Sequence, residues 1–414
     1  MNNIHTIGFE RSRQSEQPEN NNQEKVGHAL GGLLLLTTVL VVFGLTMLYS
    51  ASYLLHSATH GQVGFEFFKK QLLWVVLGGF GAVAAVVVGY RKLAAWSPIL
   101  MWISFGLLLI ARFFFPAVKG GNRWLRFGGV TIQPSEFAKI AIILFVAHYC
   151  SEHRHTFYRF KGRHGLLPLA LPVAAVTGAI LLGKDFGTTL LSVATTSLAL
   201  FAAGLYLRYM VIPMGIAALL GLYIYFFDST RLARITTFMH PEAQKEGKGY
   251  QLWHSLMALG SGKWLGRGFM NSRMKADRLP EAHTDCILSI VGEELGFVGI
   301  VIVILLYSLW GFFALRIALY AGNRLGAIMA FALTCSVTLQ AAINIAVISG
   351  SIPTKGMPAP FFSYGGSNIV ACLLAVGLLA SIAIDTLDPG YAERLHEKLR
   401  RLMPRSRGAS DVSE

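Results

Sequence analysis

Between Leu279 and Asp285 the chain reads Leu-Pro-Glu-Ala-His-Thr-Asp, which sets Glu281, His283 and Asp285 at alternate positions just before a long apolar run. A carboxylate at such an edge loses part of its hydration, which favours the protonated form and lets it take up a proton near neutral pH. That is general-base chemistry. By spacing alone Asp285 also suits the N-cap of the following helix, and the residue types leave both roles open. Upstream, the same connection carries Arg231, Arg234, Gly249-Tyr-Gln, Gly260-Ser-Gly-Lys263 and Gly266-Arg-Gly268. Its glycines permit turns or close approach to a ligand, and Pro280 stiffens the backbone ahead of the acidic residues.

Other polar sets stand beside apolar runs. Gln133-Pro-Ser-Glu136-Phe-Ala-Lys139 places an acid and a base three apart on one helical face, either as a plain capping pair or as part of a site. Lys184-Asp185-Phe-Gly-Thr188 opens a further run, with Thr188 placed to cap or to bind. Pro353-Thr-Lys355-Gly and Pro360-Phe-Phe-Ser363-Tyr364-Gly-Gly-Ser367 hold a lysine and hydroxyls on stiff, shaped backbone. Gln340 and Asn344, one turn apart within an apolar run, read as helix glue. The cysteines Cys150, Cys286, Cys335 and Cys372 have no metal-ligand spacing and read as small packing residues. Neither a P-loop nor an HExxH motif is present.

The elements that position these residues follow from composition. Of 414 residues 54% are apolar and 14% charged, and the mean hydropathy is +0.52. A water-soluble domain carries about 25% charged residues, so the bilayer is the expected solvent. This disfavours disorder, a disulfide scaffold and a nucleic-acid-binding domain, despite a pI of 9.7. Apolar segments fall at about 29–50, 71–90, 95–115, 135–150, 166–183, 187–207, 209–227, 286–320, 326–350 and 367–385. The expected fold is an all-α integral membrane protein with ten transmembrane helices, each needing roughly 20 residues. The first run exceeds the apolar core of a signal peptide, about 7–15 residues, and reads as a membrane anchor. Residues 1–28 are expected as a flexible cytoplasmic tail, 29–385 as the membrane domain, and 386–414 as a basic cytoplasmic tail. The segment 286–320 is too long for an upright crossing, so a tilted or broken helix is expected there, with Glu293 and Glu294 above the hydrocarbon. Gly292, Gly296 and Gly299 suit close packing against a neighbour.

The formal net charge is +14. With the N-terminus inside, the inner tails and loops hold about 18 Lys and Arg, against about 8 in the short outer loops, which places both termini in the cytoplasm. Tyr391, Leu395, Leu399 and Leu402 fall on one helical face among basic residues, as suits a helix on the anionic inner leaflet. The connection 228–285, a large extracytoplasmic loop between helices 7 and 8, departs from this rule with nine Lys and Arg. Either it is a solvated face or it meets an anionic, phosphate-bearing ligand.

Taken in order, Gln133-Pro-Ser-Glu-Phe-Ala-Lys139, Asp185-Phe-Gly-Thr188, Gly249-Tyr-Gln, Pro280-Glu-Ala-His-Thr-Asp285, Gly292-Glu-Glu-Leu-Gly296 and Ser363-Tyr-Gly-Gly-Ser367 resemble the SEDS family of shape, elongation, division and sporulation proteins. The resemblance covers about residues 30 to 385. Pro280–Asp285 and Pro353–Gly356 look more like its division-type (FtsW-type) members than its elongation-type (RodA-type) members. It implies a peptidoglycan glycosyltransferase of the cytoplasmic (inner) membrane that polymerises lipid II into β-1,4-linked strands at the outer face. The implied partners are lipid II and the undecaprenyl-pyrophosphate-linked glycan, a class B penicillin-binding transpeptidase and other division proteins at the septum, with no nucleic acid.

Asp285 matches the family's essential aspartate. Glu136, Lys139, Asp185, Arg231, Arg234 and Lys355 fall in or near positions that line its polar cavity. Arg123, Thr188, Glu281, His283, Ser363 and Tyr364 complete the expected substrate-binding set. A divalent cation, Mg or Mn, held between carboxylate and phosphates is compatible with this chemistry, and no organic cofactor is expected. The chain departs from the family pattern at Cys286 for Phe, His254 for Gln, Lys184 for Pro and Asn368 for Ser. The rival readings are a lipid II flippase, a RodA-like polymerase for elongation, and a non-catalytic scaffold. Charges clustered at the outer edge rather than the midplane, without a clear internal repeat, favour the polymerase over the transporter.

Overall fold

A backbone with no water to bond must satisfy its polar groups internally, and a helix does so within one segment. The computed structural model describes residues 4–58, 63–116, 121–128, 130–157, 162–205, 249–275, 279–280, 282–353 and 356–402, with isolated positions between 206 and 248. The described helices are α1 (Ile4–Ala58), α2 (Val63–Val88), α3 (Tyr90–Ala95), α4 (Ser97–Phe114), α5 (Pro134–Glu152), α6 (Leu166–Leu182), α7 (Phe186–Ala202), α8 (Tyr250–Gly262), α9 (Ile287–Leu319), α10 (Arg324–Ile348), α11 (Gly366–Leu387) and α12 (Tyr391–Leu402). A hairpin of β1 (Leu125–Phe127) and β2 (Val130–Ile132) precedes α5, with Leu125 opposite Ile132.

Each expected apolar segment coincides with a helix except 209–227, which apart from Gly215 lies outside the described residues. Among the described residues six helices, α1, α2, α4, α9, α10 and α11, are long and apolar enough to cross a membrane. The shorter α6 and α7 are apolar over 17 residues each. α5 carries Glu136, Lys139 and Glu152 within its 19 residues. Helical backbone begins at Ile4, where the sequence reading has a flexible tail, and the window able to cross a membrane is Asn22–Ser52. Extending an existing helix adds a hydrogen bond per residue fixed, so the apolar run can propagate helix backwards into the polar segment. The expected outer loop 228–285 holds the 13-residue α8.

α11 is central: 72% of its apolar window is buried, against 17% for α2. The two helices approach through small residues, and a Cβ on Gly377 would stand 2.5 Å from Ala82 Cα. α1 lies along α9, where Trp310 Nε1 donates to Thr37 Oγ1 at 2.9 Å. None of the four cysteines forms a disulfide, and Cys150, Cys286 and Cys372 are buried, in keeping with packing roles.

α9 breaks at Gly296, whose φ of 69° and ψ of −164° interrupt the helix. The chain after α8 lies across the break. Arg267 N and Gly268 N donate to the Glu293 and Glu294 carbonyls at 3.0 Å each, while Phe297 N and Val298 N donate to Lys263 O and Trp264 O. Backbone groups freed by the break are thereby satisfied. A Cβ on Gly296 would meet Gly266 N at 2.3 Å, so this crossing requires glycine on both grounds. Glu293 and Glu294, expected above the hydrocarbon, are both fully buried within the protein. The Glu293 carboxylate accepts from Arg273 N, Met274 N and Ser272 Oγ, and Glu294 from Ser50 Oγ, Met270 N and Lys275 Nζ.

Candidate active site

The site is assembled at one end of the bundle, where the N-termini of α5, α7, α9 and α11 meet the C-terminus of α10. Asp185 is the N-cap of α7, as its residue type and the helix dipole favour. Only 2% exposed, it accepts at Oδ2 from Gln133 Nε2 (2.7 Å) and Ser135 Oγ (2.8 Å) and at Oδ1 from Thr188 N (3.3 Å). Arg123 Nη1 completes the shell, 3.4 Å from Oδ1. The hairpin supplies that arginine: pairing of Leu125 with Ile132 doubles the chain back, so Arg123 returns beside Gln133 and the start of α5.

One turn deeper on α5, Glu136 and Lys139 form an ion pair at 2.9 Å, both buried. Asn368 Nδ2 donates to Glu136 Oε2 at 3.0 Å, and Lys139 Nζ donates to Gln340 Oε1 at 2.8 Å. These bonds tie α5 to α10 and α11, which a surface capping pair would not do. The amide of Gln340 also donates to Pro358 O at 2.9 Å, and Asn344 Nδ2 donates to Met357 O (2.7 Å) and Asp285 O (2.9 Å).

The carboxylate of Asp285 faces this cluster. A Cβ built on Gly356 would lie 2.8 Å from Asp285 Oδ2 and 3.9 Å from Arg123 Nη2, so acid and guanidinium flank the same point of backbone. α9 starts at Ile287 with Cys286, not Asp285, at its N-cap. Arg123 Nε and Asn344 Oδ1 are buried without a hydrogen-bond partner among the described residues. Beside the acid stands an aromatic shelf: Phe67 lies 4.9 Å from the His283 ring and 5.0 Å from Tyr364, and Tyr364 N donates to His283 O at 2.9 Å. Burial raises the Tyr364 phenol above the usual tyrosine range.

Of the residues singled out from sequence, the structure thus brings Arg123, Glu136, Lys139, Asp185, Thr188, His283, Asp285 and Tyr364 into one connected cluster. Ser363 joins it as a turn residue: it is 2% exposed, and its Oγ accepts from Ala359 N at 2.8 Å. Arg231, Arg234, Glu281 and Lys355 lie outside the described residues. Sequence reasoning did not commit Gln133, Ser135, Gln340, Asn344 or Asn368 to the site. The first two stand within a quoted motif and read as helix-start residues, Gln340 and Asn344 read as glue, and Asn368 reads as a departure from the family pattern.

The model of the cell cycle protein family that groups FtsW, RodA and SpoVE matches residues 32–387. The chain belongs to that family. It is 36% identical over 356 residues to a probable peptidoglycan glycosyltransferase FtsW of Geobacter sp. (strain M18), covering 85% of this chain and 95% of that protein. It is 35% identical over 357 residues to the stage V sporulation protein E of Bacillus subtilis (strain 168), covering 85% and 96%. Among solved structures, a chain of a peptidoglycan synthase complex that coordinates polymerization and crosslinking superposes with a TM-score of 0.71 at 24% identity, covering 86% of this chain and 98% of that one. The fold is therefore that of the FtsW, RodA and SpoVE family. The departures from the family pattern are accommodated locally. Lys184 takes a left-handed φ of 62° in the turn before α7, a conformation closed to proline. Cys286 accepts from Gln251 Nε2 at 3.3 Å, and Asn368 supplies the bond to Glu136.

Proposed function

We propose that this chain is a peptidoglycan glycosyltransferase that polymerises lipid II at the outer face of the cytoplasmic membrane during septal synthesis. The observation that carries the reading is the placement of the Asp285 carboxylate and the Arg123 guanidinium within 4 Å of one point beside Gly356, in a family whose relatives bear that enzymatic name. In this reading Asp285 removes the proton from the sugar 4-hydroxyl of the acceptor as that oxygen forms a bond to the donor's anomeric carbon. The bond from that carbon to the pyrophosphate oxygen breaks, and its electron pair leaves with the lipid pyrophosphate. Attack opposite the leaving group turns an α-linked donor into a β-1,4 product. General-base help is worth about 10² to 10⁴ in rate. Arg123, with the loop cations Arg231 and Arg234 and with Lys355, balances the charge that develops on the pyrophosphate.

Ten crossings, both termini in the cytoplasm and the loop 228–285 outside belong to the same proposal, since they put Asp285 where lipid II is consumed. A class B penicillin-binding transpeptidase is the proposed partner. Among the described residues no three His, Cys, Asp or Glu side chains converge as metal ligands, and both oxygens of Asp185 are taken by donors. Mg²⁺ is commonly held by one or two carboxylates together with substrate phosphates, so a cation between Asp285 and the pyrophosphate stays part of this proposal, and no step is assigned to it.

The test is polymerisation of labelled lipid II in detergent, with the partner transpeptidase present, by the parent and by Asp285→Asn. Glycan strands from the parent alone support the reading. Equal polymer from both removes Asp285 as the base, and lipid transfer across vesicles without polymer favours a flippase.

A further inference from the structure

Gln340 and Asn344 stand one turn apart on α10 and bond to two consecutive loop carbonyls, Pro358 and Met357. From this ladder Gln340 reaches Lys139 on one side, and Asn344 reaches the backbone of Asp285 on the other. Both amides are almost fully buried, at 2% and 1% exposure, so their bonds are not exchanged with bulk water. The loop so pinned contains Gly356, the point against which the Asp285 carboxylate and Arg123 are set. We infer that Asn344, supported by Gln340, is a positioning residue that fixes the Asp285 carboxylate relative to Gly356 and Arg123. This rests on the reading of Asp285 as the base.

An amide fits the task because its two N–H groups serve two carbonyls at once, and no hydroxyl or carboxylate can do that. Those carbonyls belong to segments far apart in sequence, the end of the loop before α9 and the loop before α11. Without the amide each carbonyl is buried with one donor fewer, and nothing else on α10 at this level spans the two.

Two readouts separate the inference from the proposed reaction. In the first, the pair Asp285→Cys and Gly356→Cys is oxidised under mild conditions, and crosslink formation is timed with and without Asn344→Ala. A fall of about tenfold in crosslinking rate, with Gln340→Ala giving a smaller fall, is expected; an unchanged rate overturns the inference. In the second, Asn344→Ala alone is assayed for lipid II polymerisation, where kcat is expected to drop about 10²-fold with KM little changed. Slower crosslinking with unchanged kcat would keep the positioning role and remove Asp285 from the chemistry. Should Asn344→Ala not fold, Asn344→Ser retains one donor and is expected to give an intermediate rate in both assays; parent-like rates there would overturn the inference.

Discussion

Lys275 Nζ lies 2.8 Å from Glu294 Oε1, with neither side chain exposed. The same ammonium donates to Ser50 Oγ on α1 and to the Met270 carbonyl, so loop, broken helix and first helix converge on one charge. Removing one partner of a buried pair leaves an uncompensated charge and costs about 3–5 kcal/mol. Lys275→Met is therefore expected to lower the unfolding temperature in detergent. Adding Glu294→Gln should restore part of the loss, because the amide oxygen still accepts from Ser50 and Met270 N. Losses that simply add in the double variant would show that the two side chains are not coupled.

Gly356→Ala places a methyl group 2.8 Å from Asp285 Oδ2, so the carboxylate must shift to make room. The polymerisation rate should fall about 10²-fold, the order of general-base help, with the fold retained. Gly365→Ala is the matched control: its φ of 171° is ordinary extended backbone, and the added Cβ meets only Asn368 Cβ, at 3.7 Å. Equal rates for the two variants would show that space beside Asp285 is not limiting.

The helices were legible because their apolar runs are long and bounded by Pro, Gly, Asp and Asn at the ends. The break in α9 was foreshadowed by its length. What the residues between could not reveal was the partner of each acid. Glu293 and Glu294 look like exposed charges until the chain after α8 folds over them, a contact set by glycines at 262, 266 and 296. Gln340 and Asn344 look like glue because an amide between helices is usually that. Here they do glue, and the loop they hold lies against Asp285. Asp185 stands out in the sequence but its shell does not, since Gln133, Ser135 and Arg123 approach it only once the hairpin has doubled back.

Tyr364 gives a pH prediction with a definite sign. Burial raises the folded phenol above its ordinary range, so the folded protein holds that proton more tightly than the unfolded chain does. The stability this contributes is complete below the ordinary tyrosine range and is lost as pH climbs from there through the raised folded value. Unfolding temperature measured across alkaline pH should fall more steeply for the parent than for Tyr364→Phe, which has no phenol to ionise. Parallel curves would place the titration elsewhere.

Asp185→Asn tests whether the shell around this acid serves binding or only folding. The carboxylate accepts from Gln133, Ser135, Thr188 N and Arg123. An amide must turn its N–H₂ toward one of these donors, leaving at least one without an acceptor, at about 1–3 kcal/mol. A purely structural role predicts a lower unfolding temperature and a polymerase whose folded fraction keeps its KM for lipid II. If instead Asp185 holds Arg123 toward the leaving pyrophosphate, KM should rise in the folded variant. Arg123→Ala should then raise it too, and the double variant should be no worse than the poorer single one, because each change removes the same contact. Independent effects of the two substitutions would separate Asp185 from substrate binding and leave it as the cap of α7.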